Sequence, residues 1–359
     1  MSARRVAVLL TAGIVLVVFA IWLASQRHLE RATLAGDLVL PGLERSVNTV
    51  TEVDLRRGDG RHTTLKKSAT GWLVGERAWR ADFDKVRKLL LNLGALNVVE
   101  EKTRLPANYP QLGVEDVSSP KATGTRIDVV TPGRTFSLIV GKSSSGKFGY
   151  VRVSGAAASL LAAPLLTPEA DPKTWLDHAL LDIPVARVRQ VEEKPADGLG
   201  FSATRDKKEQ PDFTVSPIPK HRELTSLGAA DEIAGALGSL TLDDVQKGAA
   251  AAGSKVSHAI FRTFDGLELE VAGRKDGARS LTAFTARAAA KGTESEAQQL
   301  NARLAGWEFE IPDYKYGAIF RPLDELLKPP PPVKKAPSKA SPRAPARTSA
   351  ATQGKTPGK

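Results

Sequence analysis

The segment TVTEVDLRRGDGRHTTLKKSATGWLV, residues 49–74, reads as strand, turn, strand and the start of a third strand. Val53 and Leu55 alternate with charged neighbours. Asp59-Gly60 supplies a tight reversal, Thr63–Lys67 runs back, and Gly71-Trp72-Leu73-Val74 opens the next strand. Short alternating runs broken by Asp-Gly are the local signature of antiparallel hairpins. The same phrase recurs downstream. Val185–Glu192 leads to Asp197-Gly198, then to Phe201–Arg205 and Phe213-Thr214-Val215. Val50, Val53, Asp59 and Gly60 match Val188, Val191, Asp197 and Gly198 at one constant offset.

A helix is expected after each hairpin set. Asp82 is placed as an N-cap, and Phe83, Val86, Leu89, Leu90, Leu93 and Leu96 follow at helical spacing. In the second copy Asp231 stands near the start, with Ile233, Leu237 and Leu240 on one face. Further hairpins follow: Thr125–Val130 with Arg134–Val140 around Gly133, and His258–Thr263 with Leu267–Val271 around Gly266. A third strand comes at Tyr150–Val153 and at Leu281–Ala286. The fold expected is α+β: two tandem repeats, each an antiparallel sheet packed on a helix, at residues 46–183 and 184–327.

Outside the repeats, Val6–Ala24 is an apolar run without a charge, about 28 Å long as a helix and so matched to a bilayer core. It exceeds a signal-peptide core of about 7–15 residues, and Trp22 and Leu23 spoil a small-residue cleavage site. Residues 1–30 are therefore expected to be an N-terminal transmembrane anchor contacting the lipid bilayer through residues 6–24, with 31–45 as a linker. Arg4 and Arg5 place the N-terminus inside, although Arg27 and Arg31 dilute the bias. The expected location is the bacterial inner membrane, single-pass, with the bulk of the chain periplasmic.

The net charge of +11 resides mostly in the tail. Residues 328–359 hold eight Lys or Arg and no acid, which leaves +3 for the preceding 327 residues. That Pro/Ala/Lys-rich stretch lacks the apolar side chains that would offset the entropy of ordering, so it is expected to be disordered. It serves either as a solvated terminus or, through residues such as Lys334, Lys335 and Lys339, as a tether to an anionic envelope polymer or lipid. Nucleic acid is not an expected partner, because the charge sits outside the folded body and no aromatics are interleaved with it.

Catalytic patterns are weak. The chain has no cysteine, which removes disulfides and thiolate metal sites. Its five histidines fall at no ligand spacing. Gly141–Lys147 fits a phosphate-loop pattern, but Phe148 replaces the Ser/Thr that would ligate magnesium, and a strand rather than a helix follows. It reads as a hairpin. Asp231-Glu232 and Asp243-Asp244 are adjacent carboxylates that point apart and read as solvated or helix-terminal charges. No catalytic, metal or cofactor residues are assigned, and the chain is expected not to be an enzyme. The candidate binding residue is Trp79, flanked by Arg77 and Arg80, as a platform for carbohydrate stacking; packing in a core is its alternative.

Several features together resemble the bacterial family catalogued as domain of unknown function 4340. They are Tyr109-x-x-Leu112-Gly113-Val114 with Pro120 downstream, the Leu138–Gly141 strand end, Tyr150-Val151-Arg152, and Pro172-x-x-Trp175-Leu176-Asp177 followed by Leu180-Leu181. The resemblance covers about residues 45–185 and reaches the rest through the repeat. It implies a membrane-anchored extracytoplasmic protein associated with ABC-type transporter components, and carries over no catalytic residue. The expected role is a non-catalytic accessory or scaffold protein of a cell-envelope complex. The alternative is an envelope polysaccharide or peptidoglycan binding module using the basic tail and exposed aromatics.

Overall fold

The computed structural model describes residues 15–19, 36–248 and 254–329. The expected anchor and tail lie outside the described residues, except for Val15–Phe19, which are helical, and residues 328–329. Lys334, Lys335 and Lys339 also lie outside. Among the described residues no helix is long and apolar enough to cross a membrane.

The body is mostly antiparallel sheet with some helix. The short helix α1 (Leu43–Ser46) precedes a nine-stranded sheet built from β1 (Glu52–Arg57), β2 (His62–Ser68), β3 (Gly71–Val74), β4 (Trp79–Arg80), β5 (Asn97–Thr103), β6 (Thr125–Thr131), β7 (Arg134–Ser145), β8 (Phe148–Val153) and β9 (Ser159–Ala163). Their spatial order is β4-β3-β2-β1-β6-β7-β8-β9-β5. Between β4 and β5, helix α2 (Phe83–Gly94) carries the chain from one edge of the sheet to the other. Asp82 caps it, its carboxylate accepting the Lys85 N–H at 3.0 Å, and Val86, Leu89, Leu90 and Leu93 face the core. A one-turn helix α3 (Tyr109–Leu112) lies between β5 and β6.

Strand β10 (Ala179–Leu181) pairs with β14 (Leu240–Thr241) in a separate two-stranded piece. The second large sheet has eight strands: β11 (Val188–Lys194), β12 (Phe201–Thr204), β13 (Thr214–Ser216), β15 (Asp244–Lys247), β16 (Ser257–Thr263), β17 (Leu267–Asp276), β18 (Arg279–Ala288) and β19 (Trp307–Glu310). Their order is β13-β12-β11-β16-β17-β18-β19-β15. With β4 set aside, the two sheets have the same strand order. The registers agree as well: Val53 sits opposite Leu65 and Val129, and Val191 opposite Ala203 and Phe261. Gly60, Gly133, Gly198 and Gly266, the hairpin glycines read from sequence, all have positive φ, which only glycine adopts cheaply.

Two expectations are corrected. The second-half helix is a single turn, α4 (Asp231–Ala234). Gly235 and Gly238 interrupt it, and Leu240 belongs to β14, although Ile233, Leu237 and Leu240 are all buried as read. The long helix of this half is instead α5 (Glu294–Leu304), inserted between β18 and β19 where the first half has only a short loop. It packs Ala297, Leu300 and Leu304 inward. Helices α6 (Asp313–Ile319) and α7 (Leu323–Leu326) follow. The supposed linker 31–45 joins the body from Gly36 onward. Its backbone pairs with Leu96 and Val98 along the outer edge of β5, and Val39, Leu40 and Leu43 are buried. One hydrophobic core runs continuously through both halves.

Candidate functional site

Sequence pointed to the Arg77–Arg80 strip, and the structure places it at the junction of the two sheets. The chain leaves β3 through a tight turn, Gly75–Ala78, in which Arg77 N–H donates to Val74 O at 3.2 Å and Ala78 takes a left-handed φ of 51°. Glu76 fixes this turn by accepting the Thr64 N–H at 2.8 Å. The turn sends Arg77, Trp79 and Arg80 to three different places.

Trp79 turns inward. It is 4% exposed, and its indole meets Trp307 and Phe309 edge-on, with ring centroids 5.3 and 5.2 Å away. Its Nε1–H donates to Asp177 O at 3.4 Å. A ring enclosed on these sides presents no face for sugar stacking, which corrects the expectation of an exposed platform. Edge-to-face packing of this kind adds about 0.5–1.5 kcal/mol to the apolar burial of such a ring.

Arg77 reaches across to the second half. Its Nε and Nη2 donate to Asp244 Oδ1 and Oδ2 at 2.6 and 3.1 Å, a bidentate pair in which the carboxylate is almost fully buried. Burial pushes the Asp244 carboxyl up, but the hydrogen bonds from Arg77 and the Val245 N–H, with the charges of Arg77 and Lys173, together outweigh it and hold the group below its usual range. Asp244 is thus an interior counter-charge and not the solvated charge expected of it. Lys173 Nζ stands 3.3 Å from Asp244 and 3.7 Å from Glu310. Arg279 binds Glu310 and Gln246, both at 2.9 Å, and Arg274 grips Glu308 with two bonds of 2.8 and 2.9 Å. These groups line or flank a polar cleft of about 470 Å³ between the β3–β4 turn and β15. Their charges answer one another across the junction, so the ladder staples the halves together.

Arg80 faces the other side. It lies 5.5 Å over the Trp79 ring, stands 3.1 Å from Asp177, and donates to Ala179 O at 3.3 Å. Next to it a cavity of about 410 Å³ opens between β10, β14 and Arg303 of α5. The intervening segment, 175–183, is stitched to both halves: Asp82 N–H to Trp175 O and Asp177 N–H to Arg80 O on one side, Leu242 N–H to His178 O on the other. Arg303 and Asp244 were missed as site residues. Arg303 sits on a helix signalled only by Ala297, Leu300 and Leu304, and Asp244 is distinguished from Asp243 only once β15 is placed.

Elsewhere, Gly141–Lys147 forms the β7–β8 hairpin as read, with Ser145 paired to Phe148 across the turn. Lys142 Nζ is engaged by the carbonyls of Pro110 and Gln111 at 3.2 and 3.1 Å. Among the described residues no cluster of three His, Asp or Glu could hold a metal ion.

A family model described as a domain of unknown function, DUF4340, matches residues 72–257, just over half of the chain. The match starts at Trp72 and extends through about half of the second repeat, further than the motifs between Tyr109 and Leu181 reach alone. No curated protein and no solved structure matches the chain. The sequence therefore belongs to the DUF4340 family of domains of unknown function.

Proposed function

We propose that this protein is a non-catalytic accessory or scaffold component of a cell-envelope complex, of the kind assembled around an ABC-type transporter, tethered to the inner membrane with its body on the periplasmic side. One observation carries the proposal. Two sheets of equal strand order share a single core and are cross-linked at the junction by Arg77–Asp244 and the Trp79 cluster. Two copies of one unit fused in this way hold widely separated hairpins at fixed distances, which suits a body that docks several partners at once. The apolar run 6–24 supports the tether, and its described part, Val15–Phe19, is helical with every side chain exposed. The wall-binding alternative is weakened at Trp79, which is enclosed, and retains only the basic tail with Lys334, Lys335 and Lys339.

The test is a pair of fusions after Leu327, one to alkaline phosphatase and one to green fluorescent protein, combined with photo-crosslinking from Ser144 on the exposed β7–β8 hairpin. Phosphatase activity without fluorescence, with adducts to integral membrane proteins, is the expected result. Fluorescence without phosphatase activity would remove the proposal, and so would crosslinking to nothing.

A further inference from the structure

The cavity beside Arg80 holds a charge, that of Arg303, with no ion-pair partner among the described residues. Arg303 is half-buried, and among the described residues its hydrogen bond is from Nη2 to Leu180 O at 2.9 Å. Its Nε and that of Arg80 are buried without a hydrogen-bond partner among the described residues. The two carboxylates on the cavity wall are already engaged. Asp177 stands against Arg80 and accepts the Ala179 N–H at 3.1 Å, while Asp182 accepts the Ser239 N–H at 2.8 Å. Among the described residues no carboxylate comes within 4 Å of the Arg303 guanidinium. Burial first, then the neighbouring Arg80 charge, pull Arg303 below its ordinary value, with only partial relief from Asp177. A cation drawn partly out of water beside a second cation is costly unless a counter-charge arrives.

The remaining wall supplies hydrogen-bond donors. Ser239 and Thr241 are exposed at the cavity on either side of buried Leu240, and Ser239 is held at a left-handed φ of 45°. Two guanidinium groups and two hydroxyls around about 410 Å³ match the needs of a tetrahedral or planar oxyanion. We propose that this cavity binds a small oxyanion, a phosphate or carboxylate group. Arg303 is its principal charge partner, Arg80 contributes by turning from Asp177, and the Ser239 and Thr241 hydroxyls complete the ring of donors. The site is independent of the scaffold role and stands or falls separately from it.

The experiment follows thermal unfolding of the full chain in neutral detergent, with inorganic phosphate titrated against chloride at matched ionic strength. A saturable rise in the unfolding midpoint of about 2–4 °C is expected at phosphate well above half-saturation. Arg303→Gln abolishes it. Arg80→Gln, at a more exposed position, moves half-saturation to about tenfold higher phosphate and serves as the readout where Arg303→Gln fails to fold. Citrate in place of phosphate separates carboxylate from phosphate preference. Micelles doped with phosphatidylglycerol separate a lipid headgroup, which would reproduce the rise in the wild type and not in Arg303→Gln, from a soluble anion, which would not. No rise beyond that given by chloride, or an undiminished rise in both arginine variants, overturns the proposal.

Discussion

Glu193 is the residue whose chemistry departs furthest from its place in sequence. It lies on β11 two positions from Val191, on the same inward face, and is 2% exposed. Its Oε1 has no hydrogen-bond partner, and burial pushes its carboxyl up to about 9, so at neutral pH it is a neutral acid inside the second half. The unfolded chain has it near 4.5. Because the folded value is the higher one, the folded state holds the proton more tightly. The group's contribution is most favourable below about pH 4.5 and is lost progressively as pH rises toward 9. The loss is about 1.4 kcal/mol per pH unit within that window. Glu193→Gln removes the titration. Denaturant unfolding of both proteins at pH 5.5 and 7.5 should therefore show the variant gaining about 2–3 kcal/mol relative to wild type between the two. Parallel stability curves would mean that Glu193 reaches water. Nothing in Val191-Glu192-Glu193-Lys194 announces this, since two adjacent glutamates read as a polar strand end, and only the alternation fixed by pairing with Phe201 and Ala259 decides which one enters.

At the scale of elements, the hairpins were legible because their chemistry is local. Asp59-Gly60, Asp197-Gly198, Gly133 and Gly266 demand turns whatever surrounds them, and the flanking alternation supplies the strands. Strands β5, β9, β15 and β19, which close the far edge of each sheet, were not read. β5 and β15 pair with strands distant in sequence and β19 follows α5, while β9 closes a local hairpin on β8 around Gly155 but carries only the short run Ser159–Ala163, without polar alternation. The second helix misled because burial of Ile233, Leu237 and Leu240 is real while Gly235 and Gly238 break the backbone between them. The phosphate-loop-like hairpin offers a sharp test of its structural role. A Cβ on Gly141 would lie 2.3 Å from Leu112 O and 2.8 Å from a Val114 methyl, because α3 and the loop after it rest directly on β7. A Cβ on Gly146 would meet open space. Gly141→Ala should cost about 1–3 kcal/mol as overpacking, and Gly146→Ala should leave stability within about 0.5 kcal/mol. Equal effects, or a larger one at Gly146, would contradict the packing of α3 on the hairpin.

For the whole molecule, the question is whether two sheets of equal strand order unfold as two units or as one. A pair of autonomous domains would meet at a small polar surface. Here Trp79 of the first sheet is inserted against Trp307 and Phe309 of the second, Phe284 backs Phe309 at 5.9 Å, and Asp244 takes its counter-charges from Arg77 and Lys173 of the first half. Segment 175–183 bonds to both halves, and Arg303 of α5 ties back to Leu180. Sequence placed Trp79 beside two arginines but could not show what lies opposite, because its partners are more than two hundred residues away. Calorimetry of the full chain in neutral detergent should show one transition whose van't Hoff and calorimetric enthalpies agree, despite a length at which separate domain transitions are common. Trp79→Ala should lower that midpoint by removing about 3–5 kcal/mol of packing. If the sheets are one cooperative body, the loss is felt by both and the transition stays single. If the junction is only a contact between independent domains, the variant splits the transition, with one component left near the wild-type midpoint. That second outcome would also undercut the scaffold proposal, since hairpins on loosely joined halves would no longer be held at fixed distances.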